Sequence, residues 1–329
     1  MVACSKMTSL TLAFDTPRLP PVPLPREAGQ LDTDPREYRF ERKFDPSADF
    51  SFYLGDCLKF LKTIPDGAAN LIVTSPPYNI GKEYETRSSL SDYVEVQEKV
   101  IAECVRVLAP TGSLCWQVGN HVDRGEIVPL DSLLFPVFHG LGLKMRNRVV
   151  WHFEHGLHCT YRFSGRYETI SWFTKGDEYH YDVDPVRVPQ KYPNKRYFRG
   201  PRAGELSGNP LGKNPGDVWI FPNVKYNHVE KTIHPCQFPV ELVERLVLSM
   251  TKPGDLVLDP YMGVGSTAAA ALLNGRRAAG AETDRTYYKV GKERAKEAFE
   301  GTLRTRPIDR PVYTPPPVRN MLLAETGSA

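Results

Sequence analysis

Leu256-Val257-Leu258-Asp259-Pro260-Tyr261-Met262-Gly263-Val264-Gly265-Ser266-Thr267 joins a short apolar run to a bend with two glycines and then to an Ala-rich helical stretch, Thr267 to Leu273. A second apolar strand runs through Ala278 to Ala281, and Glu282 ends it, 23 residues after Asp259. An acid about 20 residues beyond the bend is where a nucleotide-binding βαβ unit holds ribose hydroxyls. The glycines allow a sharp turn and close approach to a ligand, while the helix start offers unpaired N–H groups to an anion. Ala268 stands where G-x-G-x-x-G would place its third glycine, and no Gly-Lys-Ser/Thr of a phosphate loop follows. The bend therefore suits an adenosine with a small anionic tail better than a nicotinamide dinucleotide or a triphosphate. S-adenosylmethionine, with its carboxylate, fits that description.

The same alternation extends outward. A helical pattern from about Val240 to Met250 precedes the bend and stops at Pro253-Gly254. Far upstream, Asn70-Leu71-Ile72-Val73-Thr74 has strand length, and Tyr93 to Leu108 carries apolar residues at a helical period. Gly112 interrupts, and Ser113 to Val118 reads as another strand. Strands alternating with helices predict an α/β fold, a Rossmann-like and mostly parallel sheet. Between about 180 and 232 the pattern dissolves into Pro, Gly, Asn, Tyr and Arg. Structureless stretches that long are uncommon unless they carry function, so 181–232 reads as an insertion, a small lobe of its own. It divides one domain into parts 41–180 and 233–300. Proline at 17, 20, 21, 23, 25 and 35 makes 1–40 an extended arm, and Pro307, Pro311 and Pro315-Pro316-Pro317 make 301–329 a similar tail.

The 329 residues hold 42 Lys+Arg against 39 Asp+Glu, a net charge of +3, with 41% hydrophobic residues. That composition fills a core and excludes wholesale disorder. No run approaches the roughly 18 apolar residues of a membrane span, and the N-terminus has no signal pattern. Six cysteines without a C-x-x-C pair argue against a zinc site or a disulfide framework. A soluble, reduced, cytoplasmic protein is expected. Nine basic residues face three acids between Val186 and Thr232. Arg187, Lys191, Lys195, Arg196, Arg199 and Lys213, interleaved with Tyr192, Tyr197, Phe198 and Tyr226, form a candidate nucleic-acid surface, against the plainer reading of a solvated loop. His152, His155 and His158 lie near Cys159 without further ligands nearby, so they read as core or DNA-facing residues and no metal is expected.

Thr74-Ser75-Pro76-Pro77-Tyr78-Asn79 directly follows a strand, the place where open α/β sheets bind ligands. Two prolines rigidify the corner and leave carbonyls without local N–H competitors. An exocyclic base amine is a poor nucleophile until acceptors hold its protons, and the Ser75 hydroxyl and Pro76 carbonyl are two such acceptors. Tyr78 offers a face on which an extruded base can stack.

Thr74 through Asn79, continued by Ile80-Gly81-Lys82, resembles the catalytic motif of amino-methylating DNA methyltransferases, and the Asp259 to Thr267 bend resembles their S-adenosylmethionine motif. The catalytic motif comes first, the order of the permuted β class. His234-Pro235-Cys236-Gln237-Phe238-Pro239, Gly55-Asp56-Cys57-Leu58 and Asn209 to Trp219 resemble further family segments, so the likeness covers about residues 50 to 297. Cys236 and Phe238 depart from the usual Thr and Lys. The resemblance implies that Thr74, Asp259, Tyr261, Gly263, Gly265, Ser266 and Thr267 build the cofactor site, with Glu282 on the ribose and Asp56 on the adenine amine. Ser75, Pro76, Pro77 and Tyr78 would be catalytic, with double-stranded DNA as substrate and a homodimer compatible. Ser75 at the first motif position favours cytosine-N4 over adenine-N6 as target. A catalytically silent DNA-binding protein is the different-class alternative. Pro235-Cys236-Gln237 also evokes the thiolate of cytosine-C5 enzymes, but it lies away from the corner.

Overall fold

The computed structural model describes residues 37–79, 87–156 and 158–312. Nearly all of the N-terminal arm, the tail beyond 312 and Ile80-Gly81-Lys82 lie outside the described residues. In chain order the elements are β1 (Phe40–Glu41), β2 (Phe50–Leu54), α1 (Cys57–Leu61), β3 (Ala69–Thr74), α2 (Leu90–Val107), β4 (Leu108–Val118), β5 (Asn120–Asp123) and β6 (Glu126–Pro129). They continue with α3 (Leu130–Gly140), β7 (Lys144–His152), β8 (Tyr167–Thr174), β9 (Val218–Ile220), α4 (Val240–Met250), β10 (Leu256–Asp259), α5 (Ser266–Leu273), β11 (Arg277–Glu282) and α6 (Arg285–Phe299).

One sheet runs in the order β1-β2-β11-β10-β3-β4-β8-β7-β9. From β1 to β4 all neighbours are parallel; β8 is antiparallel to both β4 and β7. The period of two sorts the strands onto two cores. Leu71, Val73 and Val257 pack on one face with Val243 and Val247 of α4 and the alanines of α5. Ile72, Leu114, Trp116 and Leu258 pack on the other with Val100 and Ile101 of α2. Burial on both faces explains why these strands read as continuous apolar runs. Each fully buried Leu, Ile or Phe contributes about 1.5–3 kcal/mol. Ala268 to Ala271 are all buried, and their small side chains let α5 lie close to its neighbours.

β3 and β10 are adjacent, and the sheet grows outward from them in opposite directions, through β4 on one side and β11 and β2 on the other. This is the topological switch point, whose carboxyl edge holds the ligand site in open α/β sheets.

Three expectations change. The insertion is not a lobe of its own: β9 hydrogen-bonds to β7 in the main sheet, and Trp219 is buried in the core. The apolar side chain of a three-residue strand within Pro/Gly-rich sequence carries too little periodicity to be read. The stretch at 301–312 is not all free tail either, because Arg306 is buried and ion-paired with Glu241 of α4. Phe40, assigned to the arm, starts the sheet at β1. Among the described residues no helix is long and apolar enough to cross a membrane, and no cluster of three metal-ligating side chains occurs.

Candidate active site

The bend after β10 is built around Asp259, a fully buried carboxylate. One oxygen accepts from Thr74 Oγ1 at 2.6 Å and from the Tyr261 amide at 3.0 Å; the other accepts from Thr267 Oγ1 at 2.6 Å. One acid thus pins the ends of β3 and β10 and the first turn of α5. Burial pushes its carboxyl up to about 6, against the lowering effect of those bonds. Gly263 and Gly265 take positive φ of 55° and 79°. A side chain at Gly265 would meet the Gly291 carbonyl at 3.0 Å, so α6 packs on the bend only because glycine is there. Buried Arg294 of α6 donates to the Val264 carbonyl at 2.6 Å.

Glu282 accepts the Gly263 amide at 2.9 Å and the Asp284 amide at 2.7 Å, one on each oxygen. Burial raises its pKa. The spacing read from sequence is therefore a physical link: the acid ending β11 holds the glycine bend open. Asp56 caps α1, accepting the Lys59 amide at 3.0 Å.

At the neighbouring corner, the Tyr78 hydroxyl donates to Glu168 of β8 at 3.2 Å and lies 3.0 Å from Ser75 Oγ. Gln117 of β4 donates to the same Glu168 oxygen. Burial, then the Glu168 charge, pushes Tyr78 far above the usual phenol range, so it stays a donor. With that proton committed to Glu168, Ser75 donates to the Tyr78 oxygen and turns its lone pairs outward.

Both motifs open into a single cavity of about 250 Å³, lined by Ser75 to Tyr78, Asp56, Pro260 to Val264, Ser266 and Glu282. Thr74, Asp259, Gly265 and Thr267 are absent from its lining, and the buried Asp259 carboxylate ties Thr74 and Thr267 together beside it. Several groups that line it carry no role in the sequence reading: Cys57, His234, Phe238 and Tyr287. His234 stands against Tyr287, ring centroids 4.6 Å apart, and burial lowers its pKa to about 4, leaving it neutral. Among the cavity's lining residues two carboxylates and several aromatic rings occur, and no Lys or Arg. Such a lining favours a cation and opposes a polyphosphate, and it fits a sulfonium cofactor with an adenosine body.

The basic positions of the insertion divide. Arg187 turns inward, donating to Asp184 at 2.7 Å and to the Gly212 carbonyl at 3.1 Å, and braces the loop. Lys191, Lys195, Arg196, Arg199 and Lys213 are exposed. Lys191 and Arg199 stand over the rings of Tyr192 and Phe198, at 5.5 and 5.6 Å.

A mostly parallel sheet with an acid-braced glycine bend and an acceptor corner at its switch point defines a Rossmann-like methyltransferase of permuted order. Residues 69–293 match the family described as DNA methylase of the N6/N4 type, and the chain belongs to that family, the β class of amino-methylating enzymes. S-adenosylmethionine is the cofactor of this class. The chain is 52% identical over 239 residues to the type II methyltransferase M.BglII of Bacillus subtilis, covering 72% of this chain and 66% of that protein. It is 33% identical to the DNA adenine methyltransferase YhdJ of Escherichia coli K12, over 73% of this chain and 80% of the relative. Among solved structures, a DNA modification methylase from Thermus thermophilus, complexed with S-adenosyl-L-methionine, superposes with a TM-score of 0.53 at 27% identity, covering 76% of this chain and 94% of that one.

Proposed function

We propose that the protein methylates the N4 amine of a cytosine turned out of duplex DNA. The observation that supports this reading is the hydrogen-bonded Ser75–Tyr78–Glu168 chain, with Ser75 and Tyr78 on the cavity wall, an arrangement in which the Ser75 oxygen has lone pairs to offer. Ser75 Oγ and the Pro76 carbonyl hold the two amine protons, so the nitrogen lone pair is freed from the ring and aimed into the cavity. Tyr78 stacks on the base, a contact worth about 1–3 kcal/mol. That offsets much of the few kcal/mol spent in extruding the base. Bound S-adenosylmethionine supplies the methyl group as an electrophile. Glu282 holds the ribose hydroxyls, Asp56 the adenine amine, and Tyr261 with the bend at Gly263 and Ser266 the remainder. Positioning would supply most of the rate, since the corner and the bend that would hold the two groups line one cavity.

Thr74, Asp259, Gly265 and Thr267 act by keeping that cavity in shape. Lys191, Lys195, Arg196, Arg199 and Lys213 follow the DNA backbone. A second reading, adenine-N6 as target, is favoured by the relative named as an adenine methyltransferase. Nucleoside mass spectrometry of DNA incubated with the protein and labelled cofactor decides. Labelled N4-methylcytosine is the expected product; N6-methyladenine alone would overturn the base assignment, and no labelled nucleoside would overturn the activity.

A further inference from the structure

The loop between β7 and β8 belongs to neither motif nor to the basic insertion, yet it leaves the sheet at the edge where the corner lies. Its stem is closed by Phe153 N donating to the Arg166 carbonyl at 2.8 Å, and Asn223 ties it to the stretch after β9 by donating to the His155 carbonyl at 2.8 Å. Within it, the Cys159 amide donates to Ser164 Oγ at 3.0 Å, closing a tight turn with Tyr161-Arg162-Phe163 at its tip. Tyr161 is 100% and Phe163 101% exposed. Two aromatic rings flanking an arginine, left solvated among the described residues, are surface that a partner could cover at a gain in hydration free energy.

Position and charge say what that partner is. Glu168, which accepts the Tyr78 hydroxyl, lies five residues after Phe163, so the tip is within about 17 Å of Glu168 along the chain. Arg162 and Arg166 outnumber Glu154, the one acid of the loop, and Lys225 faces the same Glu168. A polyanion with apolar faces to stack on matches these features.

Building on the function proposed above, we propose that the Tyr161–Phe163 tip is the wedge that enters the duplex and fills the gap left by the extruded base, with Arg162 on the neighbouring phosphate. Apolar side chains inserted at a base step are a general means of stabilising an unstacked duplex. The ring takes over stacking that the target base gives up, and so favours the flipped state without touching the cofactor.

The test uses the full chain with duplexes carrying the recognition site, located by sequencing DNA methylated by the wild type. Tyr161→Ala/Phe163→Ala should lower the single-turnover rate on paired duplex by roughly tenfold or more. On a duplex whose target base is mismatched, and so already loosened, the loss should shrink to within about threefold. Cofactor affinity should not move, and because both rings are solvated the variant keeps its fold and melting temperature. Equal losses on paired and mismatched duplexes, or no loss on either, would overturn the wedge. A wild type that self-associates while the variant is monomeric, at equal rates, would assign the tip to a second copy instead. A wild type yielding no methylated nucleoside would sink the methylation reading itself, a separate outcome.

Discussion

The cavity wall and the basic stretch from Arg187 to Lys213 are opposites in how they use polar groups. In the wall, each oxygen of Asp259 and of Glu282 holds a bond from a different segment, and Asp259 is wholly shut from water. In the loop, Arg196 donates to the Gly204 carbonyl and Arg202 to Glu205, short-range contacts at the surface. The first arrangement fixes atoms for a reaction that rewards positioning. Under the proposed function, the second keeps charges available to a long, uniform polyanion, where added cations matter more than a fixed place. Substitutions should therefore act sharply in the wall and gradually in the loop.

The largest effect is expected at the corner. Ser75→Ala removes one of the two proposed amine acceptors, and should lower kcat by about a hundredfold while leaving cofactor affinity unchanged by calorimetry. A loss shared equally by cofactor binding would mean that Ser75 shapes the wall rather than the reaction. Glu168→Asn is less informative than Glu168→Gln, which keeps the volume; the latter tests the orienting chain directly.

Asp259 should reveal itself in stability. Its folded pKa of about 6 lies above the unfolded value of 3.8, so the folded state binds the proton more tightly. The stabilisation is complete below the unfolded pKa and is lost as pH rises through the folded one. Relative to Asp259→Asn, which stays neutral, wild-type stability should fall by roughly 2–3 kcal/mol between pH 4 and 6 and then level off. Denaturant titrations across that range would show it, and a constant difference would mean the carboxylate is better solvated than its burial implies.

Glu282→Gln should weaken cofactor binding about tenfold through lost charge-assisted hydrogen bonding, with less effect on the fold, since an amide oxygen still accepts from Gly263. In the loop the scale drops. Arg199→Ala should weaken DNA binding a few-fold and reduce the slope of log K against log salt by about 0.9. Arg187→Ala, by contrast, should leave that slope alone and lower the melting temperature, because its guanidinium braces the loop. If Arg187 and Arg199 proved interchangeable in the salt titration, the division between brace and contact would fail.

What sequence could foresee follows the same divide. The bend, Glu282 and the Ser-Pro-Pro-Tyr corner were legible because each depends on backbone demands that few residue types meet, at a spacing set by one strand and one helix. Helix α4 was legible end to end because its apolar stripe runs between Pro239 and Thr251 without a competing signal. Glu168 was not, for it reaches Tyr78 across 90 positions, and a glutamate in a strand carries no local mark of burial. Nor was the split among the arginines: Arg187 and Arg199 differ only in whether a carboxylate and a carbonyl fold back within reach. The antiparallel strands β7 and β8 escaped because their side chains alternate among aromatic, charged and hydroxyl residues. Motif spacing places Asp259, Thr74 and Thr267 at the cofactor site, but only the three-dimensional arrangement distinguishes the frame behind the cavity from the groups that face it.

The smallest effect belongs to Cys236, which sits on the cavity wall and is exposed. A cytosine-C5 mechanism needs a thiolate, and thiolates form beside positive charge. Here the neighbouring imidazole is neutral: burial and the Lys231 charge hold His234 near pKa 4, and its Nδ1 accepts the Cys236 amide at 3.1 Å. A neutral imidazole does not supply the positive charge that a His-activated thiolate relies on. Cys236→Ala should therefore retain kcat within about twofold, since methyl transfer to an amine passes through no covalent base adduct. Fluorocytosine duplex should likewise release the enzyme unmodified. A trapped adduct at Cys236 would move the chemistry from the corner to the opposite wall, and with it the whole division of labour between Ser75 and the glycine bend.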